Sequence, residues 1–209
     1  MALENSYIDT GYFVGDISIP NITSSGVVAT IEELITRNES QMLTDLFGYR
    51  FFDLLYNNTN FNNDPIDGTS LLYTTLIQGD DYVASDGRRR RYEGLTGEVN
   101  NVSGGFLRSP IANYCYWHWL NQNQTQTVGT GVVVAQAENS VKVAPASKMV
   151  NAWNKMVDSL WVMHDYITVN KTDYPDYIGF VFEPIRYPVN FSDLEPNQKL
   201  FVKQNPFGL

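Results

Sequence analysis

One cysteine, Cys115, occurs in the 209 residues, so no intrachain disulfide can form. Only two histidines accompany it, His118 and His164, too few for a Cys/His zinc site. Charge is sparse: 18% of residues are charged, and 23 acids against 14 bases leave a formal −9. That balance disfavours tight non-specific binding to nucleic-acid phosphates. No run of about 18 apolar residues occurs, so no membrane span is expected. Residues 1–10, MALENSYIDT, have neither a basic start nor an apolar stretch, and no signal peptide is expected there. Asn-x-Ser/Thr triplets such as those at Asn21 and Asn101 then reflect asparagine richness. The Walker phosphate loop, GxGxxG after a strand and GxSxG are all missing.

What is present is a globular composition, 43% hydrophobic. A chain of this length buries about 70% of its unfolded surface, enough for a core without metal or disulfide. The pattern predicts a mainly α fold: a small helical bundle with a β-hairpin or extended loop and extended arms at both ends. Residues 1–24 read as a turn-rich N-terminal arm, punctuated by Gly11, Gly15 and Pro20. The body spans 25–171. Ile31, Leu34 and Ile35, then Met42, Leu43, Leu46 and Phe47, share one helical face, and Gly48 ends or bends that helix. Short helices follow at 49–57 and 69–78, on either side of a polar loop.

Residues 79–104 read as a long loop, a length usually functional or mobile. Ser109-Pro110 is a helix start, with a capping serine and a first-turn proline. The helix to about Gln122 is crowded with Tyr114, Tyr116, Trp117 and Trp119. Residues 125–144 carry β-branched residues on both sides of Glu138-Asn139-Ser140, which predicts a hairpin or extended loop turning there. In the helix from about Pro145 to Thr168, the positions Met149, Trp153, Met156, Leu160, Met163 and Ile167 form an a/d seam. Ala152, Val157 and Trp161 widen its apolar face. The helices at 109–122 and 145–168 are expected to pack together through Trp119, Trp153, Met156 and Leu160. The last 38 residues, 172–209, hold five of the nine prolines and eight aromatics. They read as an extended C-terminal arm that docks outside its own body, anchored by Tyr177, Phe182, Tyr187 and Phe207.

Chemistry is thinly represented. His118 lies among aromatics and reads as structural, and His164 as a rim residue of the seam. Asp80, Asp81 and Asp86 fit no EF-hand spacing and read as a solvated loop. Cys115, between two tyrosines, reads as a small buried hydrophobe. No catalytic, metal or cofactor site is expected, and a hydrolase built on Asp80, Asp86 and His118 is the weakest alternative. The sharpest local feature is the run Arg88, Arg89, Arg90, Arg91. Four consecutive arginines suit a solvated loop, a partner's carboxylates or phosphate. The acidic remainder ranks DNA below a contact with another protein.

Five segments in order carry a resemblance: IEELITRNESQMLTDLFGYRFFDLL (31–55), YEGLTG (92–97), SPIANYCYWHWLNQNQTQTVGTGVVVAQAENS (109–140), KMVNAWNKMV (148–157) and NPFGL (205–209). The chain resembles the head–tail connector, or adaptor, proteins of tailed bacteriophages, in particular a family from phages of Bacteroidetes, including crAss-like phages. The resemblance implies a structural virion protein and no enzyme. It implies a homo-oligomeric ring of twelve copies beneath the portal, assembled in the host cytoplasm and placed at the head–tail junction. Its partners would be the portal protein and tail proteins, with DNA passing through the channel without specific binding and with no membrane contact. The long aromatic C-terminal segment and the arginine run depart from that pattern. A tail or baseplate ring protein is the structural alternative.

Overall fold

In the computed structural model, residues 6–58, 71–97, 109–123, 126–128, 131–133 and 146–177 are described. The elements in chain order are α1 (Ser25–Asn58), α2 (Leu71–Gln78), β1 (Asp80–Val83), β2 (Arg89–Tyr92), α3 (Pro110–Asn123), β3 (Gln126–Val128), β4 (Gly131–Val133) and α4 (Ala146–Val169). The protein is mainly helical, as the periodicity predicts, with two small antiparallel hairpins.

The apolar face of α1 buries Ile31, Leu34, Ile35, Met42, Leu43, Leu46 and Phe47. The helix breaks at Gly48, where φ is +72° and ψ is 161°, then resumes to bury Phe51 and Leu55. Helix α3 packs along α4 and also against α1. Its start is capped as the sequence predicts, with the Ala112 amide donating to Ser109 Oγ at 3.2 Å. Along α4, Met156, Leu160, Met163 and Ile167 are buried, with Ala152 and Val157 beside them. Trp153 is half-buried against Trp117, ring centres 5.2 Å apart. Trp161 stands at the edge of that face: one turn beyond buried Val157, it is 39% exposed.

The N-terminal stretch is turn-rich, with short 3-10 turns at Thr10–Tyr12 and Gly15–Ile17. It lies against the body: Tyr7, Ile8, Phe13, Ile17 and Ile19 are all in the core. Within the hairpin or extended loop expected over 125–144, the described strands pair antiparallel, Gln126 with Val133 and Val128 with Gly131. Residues 134–145 lie outside the described residues.

The loop expected over 79–104 needs the larger correction. Its first half is a hairpin, with Asp80 opposite Tyr92, Asp81 opposite Arg91, Tyr82 opposite Arg90 and Val83 opposite Arg89. Only Tyr82 and Tyr92 mark the buried face, so the alternation is too short to read as a strand pair from sequence.

Candidate interaction site: the arginine hairpin

The hairpin is built outward from the end of α2. The last carbonyls of that helix lack intrahelical partners. Tyr92 OH donates to Leu76 O at 2.7 Å, and Thr96 donates to Ile77 O through its amide at 3.1 Å and its hydroxyl at 2.9 Å. The motif YEGLTG thus plugs the C-terminus of α2, and Ser109 Oγ donates to Leu95 O at 2.8 Å to tie the plug to the start of α3. Gly79 and Gly94 cross here with φ of +89° and +79°. A Cβ on Gly79 would collide with the Tyr92 carbonyl, and one on Gly94 with the Ile77 carbonyl.

The inner face of the hairpin rests on α4. Tyr92 stacks on Tyr166 with ring centres 4.8 Å apart, and Tyr82 meets the same ring edge-on at 5.3 Å. Tyr82 OH donates to Asp165 Oδ2 at 2.9 Å, and Ser85 Oγ donates to Asp165 Oδ1 at 2.6 Å. Burial pushes the Asp165 carboxyl up, but the bonds from Ser85 and Tyr82 and the charge of Arg90 outweigh it and hold the group below its usual value.

Alternation along the strands decides where each arginine points. Arg90 shares a face with Tyr82 and Tyr92 and forms an ion pair with Asp86 at 2.7 Å. Arg91 is on the opposite face, paired with its cross-strand neighbour Asp81 at 3.1 Å. Arg88 lies 4.0 Å from Asp86 with its side chain 82% exposed. Arg89 makes no ion pair among the described residues and stands opposite Val83, which is itself 53% exposed. The run is therefore not four equivalent cations on a loop. Two are neutralised within the hairpin, and Arg88 and Arg89 project from it.

The other expected contact residues divide. Tyr177 belongs to its own chain's core: it is 7% exposed, its ring meets Phe47 and Phe51 at 6.2 and 5.9 Å, and its hydroxyl lies 3.0 Å from His164 Nδ1. Tyr174 is buried beside it and donates to Leu72 O at 2.8 Å. The aromatics of this stretch find their pocket in the bend of α1 at Gly48, so the body continues through 177 and does not stop at 171. Phe182, Tyr187 and Phe207 lie outside the described residues.

The residues considered for a hydrolase each have a separate local partner. Asp80 Oδ1 accepts from the Asp81 amide, Asp86 holds Arg90 and the Arg88 amide, and the His118 ring packs between Tyr114 and Trp117. Among the described residues, no three His, Cys, Asp or Glu side chains are grouped to hold a metal ion. Cys115 is fully buried, and burial pushes its thiol well up. A cleft of about 470 Å³ lies beside the hairpin, lined by Val14, Asp16, Arg91, Asn113, Lys155 and Val162 among others.

One buried polar residue has no counterpart in the sequence reading. Glu39, 4% exposed, sits on the core face of α1 and receives Ser6 Oγ at 2.7 Å and the Tyr7 amide at 3.1 Å. The available signal was a carboxylate between Ile35 and Met42 on the apolar stripe, where Asn38 and Asp45 are buried as well. No described helix is long and apolar enough to cross a membrane. Compared with protein-family models, curated proteins and solved structures, the chain matches none.

Proposed function

We propose that the chain is a structural protein of a tailed-phage particle, one copy of a closed ring at the head–tail junction, with no catalytic role. In this reading the ring sits below the portal, joins the portal protein to tail proteins and continues the DNA channel. The observation that carries it is the arginine hairpin. It is fixed to α2 and α4 by aromatic stacking and hydrogen bonds, yet Val83 and Arg88 stay exposed on it and Arg89 makes no ion pair among the described residues. A rigid element that presents an exposed apolar residue and exposed guanidinium groups suits a partner surface bearing carboxylates. The ordered resemblance of segments 31–55, 92–97, 109–140 and 148–157 to phage connectors supplies the kind of assembly.

Net charge agrees with a channel wall. A ring of twelve such chains would carry about −108 formal charges, which repels DNA phosphates and lets a genome slide past without binding. Closure requires a heterologous interface in which one patch meets a different patch on the next copy. Electron microscopy of particles assembled with tagged protein is the test. A ring of this chain directly beneath the portal is the expected result, and a location confined to the tail tip or baseplate would replace this reading with the tail-ring alternative.

A further inference from the structure

Ser6 poses a proton-counting problem. Its hydroxyl has one hydrogen, but two acceptors lie within reach: Ile8 O at 2.9 Å and Glu39 Oε2 at 2.7 Å. If Glu39 is ionised, Ser6 serves only one of them. If Glu39 is protonated, its own O–H donates to Ser6 Oγ, Ser6 donates to Ile8 O, and the Tyr7 amide still donates to Oε1 at 3.1 Å. Every proton then has an acceptor. The site is buried, where an ionised carboxylate without a cation is costly.

We propose that residues 6–19 form a strap that closes on the body through protonated Glu39 and loosens when that carboxyl ionises. Besides its core residues Tyr7, Ile8, Phe13, Ile17 and Ile19, the strap has two polar anchors. One is the Glu39 clasp, and the other is Asp16, which pairs with Lys155 on α4 at 2.6 Å. At the second anchor Val14, Asp16 and Ile17 line the 470 Å³ cleft together with Lys155 and Val162. Among the described residues the clasp carries no compensating cation. The strap meets Glu39 with a hydroxyl and backbone groups of Ser6, Tyr7 and Ile8, and α3 faces it with the Cys115 thiol, which burial and Glu39 itself keep neutral. Burial raises the Glu39 carboxyl to about 7, against the opposing pull of the donors Ser6, Tyr7 and Ile8. The transition thus falls near neutral pH. This inference does not depend on a ring or a virion.

Amide hydrogen exchange of the full chain, corrected for intrinsic rates, tests it. Protection of 6–19 should fall roughly thirtyfold between pH 5.5 and 8.5, since an ionised Glu39 favours the open strap. Glu39→Gln places an amide donor where the carboxyl proton stood, and its protection should stay nearly flat over that range. Flat protection in the unaltered protein, or a parallel fall in Glu39→Gln, overturns the proposal. Should the variant fail to fold, the carboxyl-carbon NMR titration of Glu39 in the unaltered protein decides. A midpoint near 7 sustains the clasp, and one at or below 5 removes it.

Discussion

Tyr82 on β1 and Asp165 on α4 lie 83 positions apart in sequence, and their 2.9 Å hydrogen bond fastens the arginine hairpin to α4. Replacing Tyr82 by Phe leaves the ring against Tyr166 and removes only that bond. A hydrogen bond to a charged group contributes about 1.5–3 kcal/mol, and the site is partly exposed, so a loss at the low end of that range is expected in urea denaturation. The sign with pH follows from Asp165. Its folded carboxyl is held below the usual 3.8, so the stabilisation is present above the unfolded value and lost as pH falls through the folded one. Hairpin amide protection in Asp165→Asn should therefore lack the acid-side fall of the unaltered protein. An identical acid-side fall in the variant would show that another group holds the hairpin.

The crossing of Gly79 and Gly94 gives a second prediction. Gly87 in the hairpin turn also has positive φ, at +80°, but open space where a Cβ would stand. Gly87→Ala should cost about 1–2 kcal/mol, the price of a left-handed alanine. Gly79→Ala meets the same conformational cost plus a backbone collision with Tyr92, and should cost at least about 2 kcal/mol more. Equal melting temperatures for the two variants would mean that the hairpin shifts aside at no cost.

How much of this could be read from the chain depends on the range of the forces involved. The α4 seam, the break at Gly48 and the Ser109 cap were legible because each is set by residues within a few turns. The arginine hairpin was not, because its folding information lies in two tyrosines whose partner, Tyr166, is distant in sequence. Glu39 was visible as a carboxylate within an apolar stripe, but its donor Ser6 lies 33 positions earlier, in a stretch whose turn residues read as an arm. Trp161 lies one turn beyond buried Val157, and the pattern did not say where the apolar face gives way to solvent: the ring is 39% exposed.

Tyr177 was expected to anchor a partner and instead fills its own chain's core. Tyr177→Ala removes a buried ring that touches Phe47 and Phe51, and about 3–5 kcal/mol of stability should go with it. Tyr177→Phe keeps the ring and loses only the contact with His164 Nδ1, so it should cost about 1 kcal/mol. Both are measured on the isolated chain by denaturant titration. A Tyr177→Ala protein as stable as the unaltered one would return this tyrosine to the surface.

The pairing within the hairpin separates the arginines into two functional classes that a single experiment can distinguish. Arg90 and Arg91 are engaged with Asp86 and Asp81, and their side chains remain 45% and 47% exposed. Exposed ion pairs contribute little, about 0.2–1 kcal/mol each, so Arg90→Gln with Arg91→Gln should slightly loosen the hairpin. Arg88 and Arg89 contribute almost nothing to the isolated fold, since one is 82% exposed and the other has no ion pair among the described residues. Replacing these two by Gln should leave the melting temperature unchanged. If the outer face of the hairpin meets a partner's carboxylates, the same double variant should reduce assembly strongly and flatten its dependence on ionic strength, because the screened interaction has been removed. The readout is the assembled fraction by sedimentation across a salt series, with Arg90→Gln/Arg91→Gln as the internal control. Assembly that is normal in the Arg88/Arg89 variant, or that falls equally in both pairs, would show that the projecting arginines are merely solvated and that the contact surface lies elsewhere on the bundle.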